Sequence, residues 1–306
     1  FGEGVRAQGA YIHNLEPFWD HYWKNGENDK LGWRLEYNMK HRGDVYATHG
    51  LGPVAQALDI HRGDRMKTLV AMDTKSVVGK SLVEERTGQP CENFRNGDHT
   101  TTLIRTENGK VIEIQHDVMT PQPYNRLYQL TGTKGFANKY PIEGYALDAK
   151  QLNASGVAPE VDNLNSHSFM PKKDMEALVQ KYQHPILKKY GEMAKEVGGH
   201  GGMDFIMDSR LVYCLQNGLP LDMDVYDLAE WCCLAELGEL SMDNNCAAVA
   251  FPDFTRGEWN KVKGYKHAYA SPEDESVAME KAKKITAKLK EKGAVEWAGE
   301  AVENKK

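Results

Sequence analysis

Glu107-Asn108-Gly109 separates two runs of alternating polar and apolar residues, 100–106 and 110–119. Asn-Gly between such runs is the pair that a two-residue hairpin demands, because both central positions need positive φ. The middle of the chain is therefore committed to antiparallel pairing. Residues 4–14, 66–72 and 126–131 alternate in the same way, and Gly132-Thr-Lys-Gly135 turns the last of these into a partner around 136–140. A succession of such strands predicts an α+β fold: a large, mostly antiparallel open sheet with helices flanking it.

Helical spacing is found elsewhere. Val54, Ala55, Leu58 and Ile60 mark the buried face of a helix over 51–60, with Pro53 suited to its first turn. Residues 74–98 are polar and punctuated by glycine, which reads as a surface excursion; 143–170 read as loop. Met175, Leu178, Val179, Tyr182 and Ile186 share one side of a helical stretch over 172–197, broken near Pro185. Further helices are expected over 203–216 and 222–240, and a Lys/Glu/Ala-rich helix beyond Ser276.

A chain of 306 residues can bury a substantial core. Its formal charge is only −6 and its basic residues are scattered, so the footprint of a nucleic-acid binder is missing. No apolar run is long enough to span a bilayer. The five cysteines, Cys91, Cys214, Cys232, Cys233 and Cys246, are odd in number and lack zinc-like spacing, so neither a disulfide framework nor a metal site is expected. Cys214, Cys232 and Cys233 read as core filler. The chain opens on Phe1-Gly2-Glu3-Gly4, running straight into strand-like sequence, which reads as a cut inside a connection between two elements.

Two stretches can carry chemistry. Tyr46, Thr48 and His49 fall within four residues at the predicted helix entrance, beside backbone N–H groups that have no partner within the helix. They can grip a small polar ligand, with His49 moving a proton; equally, His49 and Thr48 can be buried and cap the helix. Gly198-Gly-His-Gly-Gly202 opens the next helix, with Asp204 two residues on. Its glycines permit positive φ and a close approach to a ligand around His200, or a plain structural hinge. It is not a dinucleotide fingerprint, since it follows no strand and lacks the G-x-G-x-x-G order. The aromatic-rich segment holding Phe18, Trp19, Tyr22, Trp23, Trp33 and Tyr37 suits a flat amphipathic ligand such as a sugar, or a loop pinned by its own rings. No paired carboxylates, G-x-S-x-G or H-E-x-x-H stand out.

Taken together, Tyr46-Ala-Thr-His-Gly-Leu-Gly-Pro-Val-Ala-Gln56, Arg62-Gly-Asp-Arg-Met66, Gln115-His-Asp-Val118, Gly132-Thr-Lys-Gly-Phe136, Gly198-Gly-His-Gly-Gly-Met-Asp-Phe205, Asn217-Gly-Leu-Pro-Leu-Asp222 and Pro252-Asp-Phe-Thr-Arg-Gly257 resemble glycoside hydrolase family 109. These are NAD-dependent α-N-acetylgalactosaminidases of the Gfo/Idh/MocA oxidoreductase superfamily. The resemblance implies a Rossmann domain carrying NAD, followed by a C-terminal domain with a large open sheet. This chain resembles the second part alone, so cofactor-binding residues are expected outside it. Residues 1–270 would form the substrate-binding domain and 271–306 a charged helical tail.

Carried over by position, Tyr46, Ala47, Thr48 and His49 match the family's substrate segment, with Ala47 standing where proline is usual. Tyr11, Arg34 and Tyr124 match substrate-contacting residues, and His200 falls in the family's glycine–histidine run. His49 and Tyr46 are thereby implied as catalytic. The implied reaction is retaining hydrolysis of a terminal α-N-acetylgalactosaminide through transient oxidation at C3, elimination and addition of water. Net NAD(P)-dependent oxidation of a sugar or polyol, and an inactive sugar-binding or assembly domain, are the alternative readings. Superfamily habit also implies homo-oligomers formed through the sheet face. Location stays open: export, for example to a bacterial periplasm, is compatible with the sequence, any signal lying upstream.

Overall fold

The hairpin announced by Asn108-Gly109 forms at the heart of the computed structural model, which describes residues 1–15, 33–158, 161–216, 221–261 and the isolated positions 284, 287 and 291. Its arms are β3 (Thr100–Thr106) and β4 (Val111–Asp117), antiparallel with Leu103 opposite Glu113. The other strands are β1 (Gly4–Ile12), β2 (Met66–Asp73), β5 (Asn125–Gly132), β6 (Gly135–Asn138), β7 (Gly144–Ala146) and β8 (Val249–Ala250). They make one eight-stranded sheet in the order β7-β6-β5-β1-β4-β3-β2-β8. Every strand pair is antiparallel except β1 with β4.

The described helices are α1 (Trp33–Lys40), α2 (Thr48–Ala57), α3 (Val78–Thr87), α4 (Ala149–Ser155), α5 (Lys172–Tyr182), α6 (Pro185–Val197), α7 (Met203–Gln216) and α8 (Val225–Asp243). The chain divides into two compact units, Phe1–Met175 with Val225–Gly264, and Glu176–Asp224 with Tyr265–Lys306. In the first, α2 and α8 lie against one face of the sheet, and Leu51, Val54, Ala55, Leu69, Ile104, Ile112, Ile114 and Leu234 close the core between them. Alternation sets this: on β4 Ile112, Ile114 and His116 point inward, while Val111, Glu113 and Gln115 do not. In the second unit α6 and α7 pack across the glycine run, where a Cβ on Gly202 would come within 2.6 Å of the Ala194 backbone.

The alternating strands and the break at Pro185 lie where the sequence predicts them. Four expectations are corrected. The helix predicted over 51–60 begins at Thr48, so Pro53 sits inside α2 rather than in its first turn. Residues 74–98 are no surface excursion: they contain α3, whose Leu82 and Val83 join Phe94 in a second apolar cluster with Leu35 and Val118. Asp98 caps that helix, accepting from the N–H groups of Val77 and Val78 at 2.9 Å and Gly79 at 3.1 Å. Residues 143–170 hold β7 and α4, the latter capped by Asp148 accepting from Gln151 N–H at 2.8 Å. Of the cysteines read as core filler, Cys214 is buried, Cys233 partly so, and Cys232 exposed. Phe18, Trp19, Tyr22 and Trp23, the boundary at residue 270 and almost all of the tail lie outside the described residues. Among the described residues no helix is long and apolar enough to cross a membrane.

Candidate functional site

Two glycines bring α2 onto β1. A Cβ on Gly9 would stand 2.0 Å from the Gly50 carbonyl oxygen, and one on Gly50 would come within 3.2 Å of Ala10 N. With neither present, the first turn of α2 rests on the strand backbone, and its side chains reach the ring of Tyr11. The His49 ring stacks on Tyr11 at 5.2 Å and 20°; Tyr46 closes the triangle, 4.8 Å from Tyr11 and 4.6 Å from His49. His49 is exposed, which removes the buried, helix-capping alternative. Thr48 is half-buried and opens the helix. Ala47 packs into the core with φ −59°, close to the value a proline ring imposes, so alanine here keeps the geometry of the turn.

Arg34 reaches the same group from α1. Its guanidinium lies 4.6 Å from the centre of the Tyr46 ring, and Nη2 donates to the Tyr46 hydroxyl at 3.4 Å. Buried amides steady α1: Asn38 Nδ2 donates to the Arg34 carbonyl at 2.8 Å, and Asn96 Nδ2 to Asn38 Oδ1 at 2.6 Å. A recess of about 480 Å³, partly open to solvent, lies here. Tyr11, Arg34, Tyr46 and His116 form its polar side, Leu35 and Val118 its apolar side, and among the described residues no carboxylate lines it.

His116 sits opposite Tyr11 in the β1–β4 register, its ring stacked on Tyr11 at 6.0 Å. It is buried, and its Nε2 has no hydrogen-bond partner. Burial pushes its pKa down to about 4, so the imidazole is neutral at neutral pH. Asp44 is also buried. Its Oδ1 accepts from Tyr46 N–H at 3.2 Å, its Oδ2 has no partner, and burial raises its pKa to about 7. On the other side Arg126 lies 4.4 Å from the centre of the Tyr11 ring and donates through Nε to the Tyr124 hydroxyl at 2.7 Å. Tyr124 is exposed and meets His13 edge-on at 5.2 Å.

Tyr11, Arg34 and Tyr46 thus line one recess, His49 stacks on Tyr11 beside it, Tyr124 is joined to Tyr11 through Arg126, and Thr48 opens the adjoining helix. His200 belongs to the second unit, where it is exposed and pairs with Asp204 at 2.9 Å. All five residues of its run have positive φ, His200 included at 45°. The sequence reading overlooked His116, Arg126 and Asp44. A histidine at an inward position of an alternating strand was a visible signal for the first; the other two are set by burial and by β5, which no local pattern reveals.

The recess and its rim can hold a ligand with hydroxyl and carbonyl oxygens against aromatic walls, through the Arg34 and Arg126 guanidinium groups and the Tyr11, Tyr46 and Tyr124 hydroxyls, with the exposed His49 imidazole to move a proton. Among the described residues no glycine turn joins a strand to a helix, and the glycine run of the second unit links two helices.

The profile of "Glycosyl hydrolase 109, C-terminal domain" matches residues 1–261. Glycosyl hydrolase family 109 protein 5 of Phocaeicola vulgatus is 85% identical over 306 residues, all of this chain and 59% of that protein. Glycosyl hydrolase family 109 protein 1 of Bacteroides thetaiotaomicron is 61% identical over 270 residues, 88% of this chain and 56% of that protein. The chain thus spans little more than half the length of these relatives. Among solved structures, levoglucosan dehydrogenase in complex with NADH and L-sorbose matches with a TM-score of 0.50 at 15% identity, covering 83% of this chain and 60% of that one, a likeness of fold.

Proposed function

Because this chain belongs to glycosyl hydrolase family 109, we propose that it forms the sugar-binding and proton-transferring part of a retaining α-N-acetylgalactosaminidase. The observation that carries this reading is the Tyr11–Tyr46–His49 triangle beside Arg34 and the neutral His116. NAD, held by residues other than those described, supplies the transient oxidation at sugar C3 and its reversal. With C3 a ketone the C2 proton is acidic, and in this reading His49 accepts it. The electron pair left on C2 expels the glycosidic oxygen from C1, which takes up a proton as it leaves. Water then adds at C1 and a proton returns to C2.

Tyr46 and Arg34 hold hydroxyl and N-acetyl oxygens, the guanidinium fork suiting planar acceptors. Tyr11, Thr48 and Tyr124 complete the sugar-facing wall. The buried His116 ring backs the recess behind Tyr11, and the acetamido methyl would lie on Leu35 and Val118. Such chemistry needs no carboxylate pair.

The test is p-nitrophenyl α-N-acetylgalactosaminide with the whole protein. Nitrophenol release without accumulating NADH supports hydrolysis; stoichiometric NADH from a free sugar overturns it in favour of a sugar oxidoreductase. Self-association through the sheet face away from α2 and α8 belongs to the same reading.

A further inference from the structure

Pro53 occupies the sixth position of α2, where any other residue would donate its N–H to the carbonyl four residues back, that of His49. The bond is replaced from another element: the Tyr128 hydroxyl donates to the His49 carbonyl oxygen at 2.6 Å. Tyr128 reaches it through a bulge. The β1–β5 pairing runs from Gln8 opposite Gln129 to Gly9 opposite Leu127, leaving Tyr128 as the extra residue. Leu127 and Tyr128 have φ of 56° and 50°, conformations that side-chain-bearing residues hold only where their surroundings fix them. Here Tyr140 N–H donates to the Leu127 carbonyl at 3.1 Å and Lys139 N–H to the Tyr128 carbonyl at 3.2 Å. The Tyr140 ring meets Tyr128 edge-on at 6.0 Å. Burial raises the Tyr128 pKa above its ordinary value of 10.0, so the phenol keeps its proton and remains a donor.

We infer that Tyr128 is a positioning residue for His49, its hydroxyl standing in for the helix hydrogen bond that Pro53 withholds. An ordinary helix bond would tie His49 to α2 alone. The Tyr128 bond ties it to β5, the strand that also carries Arg126, and so holds the imidazole against Tyr11 from two elements. The catalytic meaning rests on the proposed function; the bond itself does not.

Two measurements separate them. Within these 306 residues His-Gly occurs twice, at His49-Gly50 and His200-Gly201. With 13C′-histidine and 15N-glycine, each pair gives one carbonyl–amide correlation, and the second serves as reference. Tyr128→Phe should move the His49 signal and leave the His200 signal in place. In the whole protein it should lower kcat about tenfold with KM within about twofold, the cost of a slightly misplaced group. Adding Pro53→Ala restores an N–H to the His49 carbonyl and should recover most of the lost kcat. An unmoved His49 signal overturns the inference. So does wild-type kcat in Tyr128→Phe, or a double variant that melts like wild type yet stays as slow as the single one. A wild-type protein inactive on the galactosaminide sinks the functional reading instead, and the carbonyl signal still decides the bond.

Discussion

His49 and His116 both stack on Tyr11, at 5.2 and 6.0 Å, but one is exposed and the other buried. Exposure makes His49 cheap to remove structurally. His49→Ala should lower turnover by roughly 10²-fold or more while changing unfolding free energy by about 0.5 kcal/mol or less. Near-normal kinetics would refute its role, and a large fall in melting temperature would return it to the core. Burial instead links His116 and Asp44 to stability with opposite signs. His116 has its pKa depressed from 6.5 to about 4, so its contribution is complete above pH 6.5 and is lost as pH falls toward 4. Asp44 has its pKa raised from 3.8 to about 7, so its contribution is complete below pH 3.8 and is lost as pH rises toward 7. Each slope is about 1.4 kcal/mol per pH unit where one proton separates folded from unfolded chains, and between pH 4 and 6.5 the two oppose. Asp44→Asn should therefore uncover a rise of stability with pH across that window, read from urea unfolding at a series of pH values. A profile as flat as wild type would show that Asp44 titrates normally.

At the level of elements, the site depends on how closely α2 meets β1. Gly9→Ala would drive a methyl into the Gly50 carbonyl, at 2.0 Å, with backbone on both sides and no flexible side chain to yield. The expected cost is about 3 kcal/mol or more, with loss of turnover, measured by denaturant unfolding and activity together. Wild-type stability would mean that α2 can shift without harm. The same comparison shows what was legible. Strands β3 and β4 were plain because Asn-Gly and alternation are local signals. Helix α3 was not, because its cap, Asp98, lies about twenty residues downstream and its N-terminal N–H groups find an acceptor only once the chain has folded. The start of α2 was misplaced because Pro53 suggests a first turn, while the Tyr128 hydroxyl that reaches the His49 carbonyl lies far along the chain. At the site, the spacing of Tyr46 and His49 left a ligand-gripping loop and a capped helix start both open, and the family resemblance chose the first. Tyr11 and Arg34 came from the family resemblance; the inward strand position of His116 was visible, but its neutral, unpartnered state comes from burial in the folded chain.

For the molecule as a whole, the sheet face away from α2 and α8 carries Val70, Leu103 and Glu113 in one row across β2, β3 and β4. Leu103 is 48% exposed and Met72, on the same face of β2, 60%. Leu103→Glu should therefore lower the mass measured by light scattering if copies associate there, leaving the melting temperature of the monomer near wild type. An unchanged mass would move any association to another surface.

The central position of β1 has a consequence in time. Arg6 pairs with Val111 and Gly4 with Gly132, so the strand that carries Tyr11 has no neighbour in the sheet until more than a hundred further residues have been made. At 5–20 residues per second that interval is on the order of 5–25 s on the ribosome, during which both edges of β1 stand unpaired. Pairing across such sequence distances is intrinsically slow. Tyr11 is therefore synthesised well before the strands that hold β1 on either side, and for that interval β1 depends on shielding in the nascent chain.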